Sequence, residues 1–218
     1  MTDPVTPAAP GPALLPEPPG LPYAGAIAVF RALNRWFMVP LTRRGLGAWV
    51  SMPIGGSILL LRARGRKSGV MRETPLNYVV AEGSTWVLAG FGPRTEWYRN
   101  LVVDPRGEVV LPGRTFSGIA VEVRDPATRR RIMPAIMRST AGPSMASGVN
   151  PFTTTDDEVL ETMAWVPLVR VDADEGWLDS GPDDPGGHAW IWRQALVLVA
   201  TVAAIKVVGR VLRALSGR

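Results

Sequence analysis

Between Ser57 and Ala173 the apolar residues fall into short runs separated by turn-forming residues, a pattern of strands rather than long helices. "SILLLRAR" from Ser57 predicts one strand and "VMRETPLNYVVA" the next, with the basic, glycine-flanked "GRKSG" as the turn between them. Pro75 inside the second run points to a bulge or an edge position, because proline cannot donate to a ladder. Glu82-Gly83 turns the chain into "STWVLAGF". "EVVL", the turn "PGR" and "TFSGIAVEVRD" give a further hairpin, and "WVPLVRVDA" a last strand. Short helices are expected over "TEWYRNLVVDP", residues 127–139 and residues 156–163, with residues 140–155 as a Ser/Gly/Pro loop. Many short strands with helices set between them predict an α+β, mainly β protein: a small antiparallel barrel with inserted helices.

The ends of the chain have a different character. Residues 1–22 are proline-rich with little to bury and read as a disordered tail, and no basic stretch ahead of an apolar core marks a secretory signal. Ile27, Phe30, Leu33, Asn34 and Phe37 stand at helical spacing, and Pro40 should end or kink that helix. The barrel domain is placed at residues 23–171, followed by an acidic Pro/Gly linker at 172–188. Residues 189–218 form a C-terminal helix, apolar and uncharged from Ala195 to Ile205, with Lys206, Arg210 and Arg213 after it. That run is shorter than the roughly 20 residues a bilayer span needs. The preferred reading is an interfacial helix, with Trp190 and Trp192 near the headgroups and the late cations on anionic lipid. Packing on the barrel or on a second subunit, and a true span of the bilayer, are the other readings.

Composition narrows the chemistry. The 218 residues include no cysteine and a single histidine, His188, which argues against disulfides, thiolate chemistry, a histidine metal site or a Ser-His-Asp triad. No metal ligand set is assigned, and any redox chemistry would be carried by a bound cofactor. The formal charge is +5 and the sequence pI about 10.4, which suits a polyanionic cofactor or an anionic surface. Nucleic acid is disfavoured as a partner, because the aromatics gather near "TEWYRN" and at the ends instead of alternating with cations along strands.

"RGRKSG", residues 64–69, concentrates three cations and two glycines in one turn. Gly65 and Gly69 permit the positive φ that exposes successive N–H groups as an anion nest, and Arg66, Lys67, Ser68 and Arg72 add charge and hydrogen-bond donors. In isolation the turn reads equally as a solvated hairpin tip. The order G-R-K-S-G, then R-x-T-P-L, then W-Y-x-N-L with D-P soon after, resembles the deazaflavin-dependent nitroreductase family over roughly residues 25–171.

That resemblance implies a split β-barrel oxidoreductase using coenzyme F420. It implies that the cofactor's phosphate and oligoglutamate tail lie along Arg66, Lys67, Ser68 and Arg72. Glu73, Thr74, Pro75, Leu76 and Asn77 would then pass close to the deazaflavin or its ribityl chain, Leu88, Ala89, Gly90 and Phe91 would form the adjoining strand end, and Trp97, Tyr98 and Asn100 the floor. Trp97 and Tyr98 read also as core anchors, and Asn100 as a tie for the Asp-Pro turn. Phe91 fills a position often cationic in that family, with Arg94 as the nearby charge. Candidates for a proton donor are Tyr98 and Ser139.

The reaction implied is hydride transfer from reduced F420 to an electron-poor, hydrophobic acceptor such as a quinone, nitroaromatic, enone or unsaturated lipid. FMN is the alternative cofactor on the same barrel. A basic, non-enzymatic barrel module tethered to anionic membrane is the alternative from another class. The expected location is cytoplasmic, peripheral at the inner face of the plasma membrane, with oligomeric state left open.

Overall fold

The computed structural model describes residues 32–43, 56–111, 114–175 and 189–216. The tail at 1–22, the helical positions Ile27 and Phe30, and most of the acidic linker, 176–188, lie outside the described residues. So do the side chains of Trp190, Trp192 and Arg213.

Six strands close into one antiparallel barrel: β1 (Ile58–Arg64), β2 (Met71–Ala81), β3 (Ser84–Leu88), β4 (Arg106–Leu111), β5 (Arg114–Val123) and β6 (Leu168–Ala173). Their order around the barrel is β1-β2-β3-β6-β5-β4, with β4 pairing back onto β1. The expected mainly-β barrel with inserted helices is the observed fold. Helices α2 (Glu96–Val103), α3 (Pro126–Arg138), α4 (Ala141–Ala146) and α5 (Asp156–Thr162) sit in the connections, and α6 (Ala189–Ser216) follows the linker. Residues 140–155, expected as loop, contain α4. Its six-residue "AGPSMA" has too little apolar periodicity to announce a helix.

The barrel interior is a single apolar cluster that includes Leu59, Leu61, Tyr78, Val80, Val87, Val109, Phe116, Val169 and Val171. Alternate residues of β1 point the other way, yet Ile58 and Leu60 are buried too, because α1 (Val39–Arg43) packs over β1 and β2. "SILLL" therefore lacks polar alternation for a physical reason: both faces of this strand are covered. A π-helical turn (Asn34–Met38) leads into α1, and Pro40 lies just inside α1. The expected end at Pro40 is corrected, because the helix continues through it to Arg43, with the π-helical turn just before it.

A second cluster joins the outer face of β2 and β3, through Val79 and Trp86, to α3 and α5, through Ile132, Met133, Ile136 and Val159. Arg129 of α3 is buried beneath it and donates to the carbonyls of Met163 (3.3 Å), Ala164 (3.1 Å) and Val166 (3.1 Å), capping the end of α5. Burial lowers its pKa from the ordinary arginine value, with the Glu122 charge opposing the shift.

Strand β2 is longer than its neighbour. β3 pairs with it only over Tyr78–Ala81, so Met71–Asn77 overhang with β1 on one side. The Tyr78 N–H donates to Ser57 O at 3.2 Å, so even-numbered peptide groups face β1 and odd-numbered ones face the overhanging side. Pro75 is odd. Its missing donor falls on the side β3 does not reach, which is the edge position expected of it.

Candidate functional site

The turn between β1 and β2 is internally bonded. Gly65 N–H donates to Val70 O at 2.9 Å, while Ser68 and Gly69 N–H both donate to Gly65 O, at 3.2 and 2.8 Å. Val70 N–H reaches Ser68 Oγ at 3.4 Å, and Arg66 N–H reaches Asn100 Oδ1 at 3.1 Å. The expected anion nest is therefore corrected: these amides have partners within the fold and do not converge on an outside anion. Gly69 does take positive φ, +68°. Gly65 does not; it is glycine because a Cβ there would meet Ser68 Oγ and Val70 O, both at 3.1 Å.

Three of the four candidate tail-binding residues are exposed: Lys67, Ser68 and Arg72. Neither Lys67 nor Arg72 makes a salt bridge among the described residues. Arg66 differs, for its guanidinium meets Glu96 of α2 at 2.6 and 3.3 Å and Asn100 Oδ1 at 3.1 Å. That hydrogen bond holds the Glu96 carboxyl below its ordinary pKa, with weaker help from Arg99 and Lys67. The basic turn and the W-Y-x-N helix, some thirty residues apart in sequence, thus meet through Arg66, Glu96 and Asn100. Asn100 ties the basic turn rather than acting through its side chain on Asp104-Pro105; only its backbone carbonyl accepts from Asp104 N–H, at 2.9 Å.

Along the overhang, Thr74 and Leu76 share the barrel-facing side with Leu61 and Leu59, while Glu73, Pro75 and Asn77 share the other side with Arg62, Leu60 and Ile58. The Glu73 carboxylate accepts from Arg62 Nε at 3.0 Å, and Arg62 also bonds Glu108 of β4, a cross-strand ladder on the barrel exterior. Asn77 borders Gly56, where a Cβ would lie 2.8 Å from Asn77 Nδ2 and 2.7 Å from Ser139 O. Gly56, with φ +79°, is the close approach that brings β2 and the α3–α4 junction together.

Leu88 ends β3, and Ala89 N–H is held by Pro167 O at 3.0 Å. Gly90 and Phe91 are exposed, and Arg94 is exposed farther along the same loop. Gly92 N–H returns to Ala89 O at 2.6 Å, and Gly92 O accepts from Thr95 N–H and Oγ as α2 begins.

Trp97 and Tyr98 are barrel-core residues, packed edge to face with ring centres 6.3 Å apart. The Tyr98 hydroxyl donates to Glu122 Oε2 at 2.8 Å, and Arg124 clamps that carboxylate. Burial, reinforced by Glu122, pushes the Tyr98 phenol up to about 12. Ser139 Oγ donates to Ile136 O at 2.8 Å at the end of α3 and is buried. Both hydroxyls proposed as proton donors thus already donate within the fold. Glu96 and Glu122 were not singled out from sequence; the signal available was an acid beside the aromatic pair in "TEWYRN", opposite a basic turn.

Residues 38–151, just over half of the chain, match the model of the F420H(2)-dependent quinone reductase family, and they contain the turn, the overhang and α2. The chain belongs to the F420H2-dependent quinone reductase family. It is accordingly an oxidoreductase whose cofactor is coenzyme F420. Among solved structures, an F420-H2 dependent reductase is 19% identical, with 53% of this chain and 93% of that one covered at a TM-score of 0.38. A conserved hypothetical protein from Mycobacterium tuberculosis is 21% identical, covering 61% and 79% at 0.43. The haem-storage protein HutZ from Vibrio cholerae is 16% identical, covering 65% and 93% at 0.40. No curated protein matches the chain.

The donor set at the turn suits the family's cofactor. F420 carries a phosphate and a chain of carboxylates, and Lys67, Ser68 and Arg72 offer an ammonium, a hydroxyl and a guanidinium on one exposed edge.

Proposed function

We propose that this reductase delivers electrons to a quinone, or another electron-poor and lipid-soluble acceptor, at the cytoplasmic face of an anionic membrane. The observation that carries this reading is α6. Its 28 residues extend about 42 Å at 1.5 Å per residue. Leu196, Val197, Leu198, Val199, Val202, Ile205, Val207 and Val208 are all exposed, with Lys206 and Arg210 among the last of them. Apolar side chains around a helix call for a surrounding less polar than water. No helix among the described residues is long and apolar enough to cross a membrane. Apolar contact with the cations on lipid headgroups fits both facts, and it would place the barrel where quinones partition. The family's description, which names a quinone, supports the same acceptor class.

Reduced F420 supplies the hydride when bound. The chain's own contribution is binding and orientation: side-chain donors at the turn hold the anionic end, Asn100 and Glu96 hold the turn, and the overhang of β2 offers an edge beside it. Solvent or a group brought by the acceptor is left to supply the proton, since Tyr98 and Ser139 are engaged.

The test is anaerobic oxidation of F420H2 followed by absorbance, with a water-soluble quinone and with a long-chain quinone in phosphatidylglycerol-containing vesicles. Turnover of both is expected, with the vesicle reaction lost in Lys206→Glu/Arg210→Glu while the soluble reaction persists. Absence of turnover with either quinone would sink the acceptor assignment. Equal vesicle activity and equal vesicle co-sedimentation of the double variant would sink the role of α6.

A further inference from the structure

Leu33, Trp36 and Phe37 fall within about one turn of the helix that leads into α1, and they are 44%, 70% and 60% exposed. Met38, Val39, Pro40 and Leu41, which follow them, are half-buried where α1 packs on β1 and β2. One stretch of chain is thus seated on the barrel while its aromatic end is left in water. Single exposed apolar residues are ordinary on a protein surface. Three large ones so close together, two of them aromatic, mark a contact surface.

The charge around them says what that surface meets. From Pro18 to Arg72 the sequence has nine cations and no acid, whereas the rest of the chain has four more acids than cations. Within this run Arg62 meets Glu73 and Glu108, and Arg66 meets Glu96, all brought from later in the chain. Arg31, Arg35, Arg43 and Arg44 flank the aromatic residues in sequence. Aromatic rings among arginines suit a lipid interface, where the rings sit at headgroup level and the cations meet anionic phosphates.

We propose that Leu33, Trp36 and Phe37 form a second lipid-contact surface, borne by the barrel itself, for an anionic bilayer. The proposal rests on the membrane reading of α6 and adds to it. Contact through α6 alone, at the far end of the chain, would tether the protein. A patch seated on β1 and β2 also orients the barrel, turning toward the lipid the two strands that border the candidate site.

The native chain has no cysteine, so Trp36→Cys, Phe37→Cys and Met145→Cys each give one attachment point for an environment-sensitive nitrobenzoxadiazole dye. Met145 of α4, 53% exposed, is the control for an apolar residue elsewhere on the surface. The labelled chains are mixed with phosphatidylcholine vesicles, with and without phosphatidylglycerol, and binding is followed in parallel by co-sedimentation. Dye at 36 and 37 should brighten and shift to shorter wavelength on the phosphatidylglycerol vesicles, and dye at 145 should not. The unlabelled Trp36→Ala/Phe37→Ala chain should bind those vesicles about tenfold more weakly while keeping native turnover of a water-soluble quinone. Dyes at 36 and 37 that do not respond while the chain sediments with vesicles would overturn the patch and leave the contact to α6. So would a double variant that binds vesicles like the native chain; if that variant also lost turnover of the soluble quinone, the aromatics would serve the acceptor instead. A native chain that stays in the supernatant would overturn the membrane reading and the patch together.

Discussion

Gly92→Ala probes the joint that links the end of β3 to α2, and so both sides of the candidate site. Gly92 has φ +75°, and a Cβ there would stand 2.8 Å from Trp165 Cζ3 and 3.0 Å from Cε3. Left-handed backbone costs a residue with a Cβ about 1 kcal/mol. Trp165 is buried and its Nε1–H donates to Thr162 O at 3.0 Å, so the ring is not free to retreat. Forcing a methyl group into such packing costs about 1–3 kcal/mol. The sum, about 2–4 kcal/mol, is a large share of the roughly 5–15 kcal/mol that holds a domain folded. At about 2–4 °C per kcal/mol for a chain of this size, Tm should fall by roughly 4–16 °C. Gly90→Ala is the internal control two residues away. A Cβ at Gly90 meets nothing within 4 Å, and that backbone is not left-handed, so its effect should stay within about 0.5 kcal/mol. Thermal and urea unfolding followed by circular dichroism reads both. A Gly92→Ala protein melting within about 1 °C of native, or a Gly90→Ala protein falling equally far, would refute the reasoning.

Other perturbations reach different parts of the fold. The Tyr98 pKa is raised from 10.0 to about 12, so above pH 10 the unfolded chain loses this proton first and stability falls as pH rises toward 12; urea titrations should show that slope reduced in Tyr98→Phe. Glu96 shows the opposite sign. Its carboxyl is held below 4.5, so its contribution is present above that pH and fades as pH falls through the lower folded value, a dependence that Glu96→Gln should abolish in acid-unfolding curves. Arg129→Met leaves the carbonyls of Met163, Ala164 and Val166 without their buried donor, at a cost of about 2–4 kcal/mol by urea midpoint. Arg129→Lys should recover only part of it, because an ammonium lacks the planar fork.

Much of the barrel was legible because strand signals here are local. Glu82-Gly83 sits at the tight β2–β3 turn with positive φ at both residues, and Pro75 marked an edge that the register then supplied. What stayed hidden depends on contacts distant in sequence. Nothing around Gly92 announces Trp165, and nothing around Arg129 announces three carbonyls more than thirty residues away. The candidate site divides the same way. Sequence picked out Arg66, Lys67 and Arg72 as one basic group, because charge and proximity along the chain are all a sequence displays. Their inequality comes from α2, which delivers Glu96 and Asn100 to Arg66 alone.

That division also bears on why the turn has so little freedom. A flexible loop of cations would hold a polyanion by charge but would lose ordering entropy on each binding event. Here the amides of Gly65, Ser68 and Gly69 close the turn upon itself, and Asn100 Oδ1 receives the Arg66 N–H from outside it. The backbone of the turn is therefore set by the fold itself, with the Lys67 and Arg72 side chains exposed upon it. Loosening the turn should consequently weaken F420 binding without altering its salt dependence, because the charges remain. Asn100→Ala is the variant that isolates this effect. It removes the acceptor shared by the Arg66 backbone and side chain and leaves every charge in place. A weaker Kd with the native salt slope is the expected result. A flattened slope would mean that the turn's charges, and not its fixed backbone, depend on Asn100.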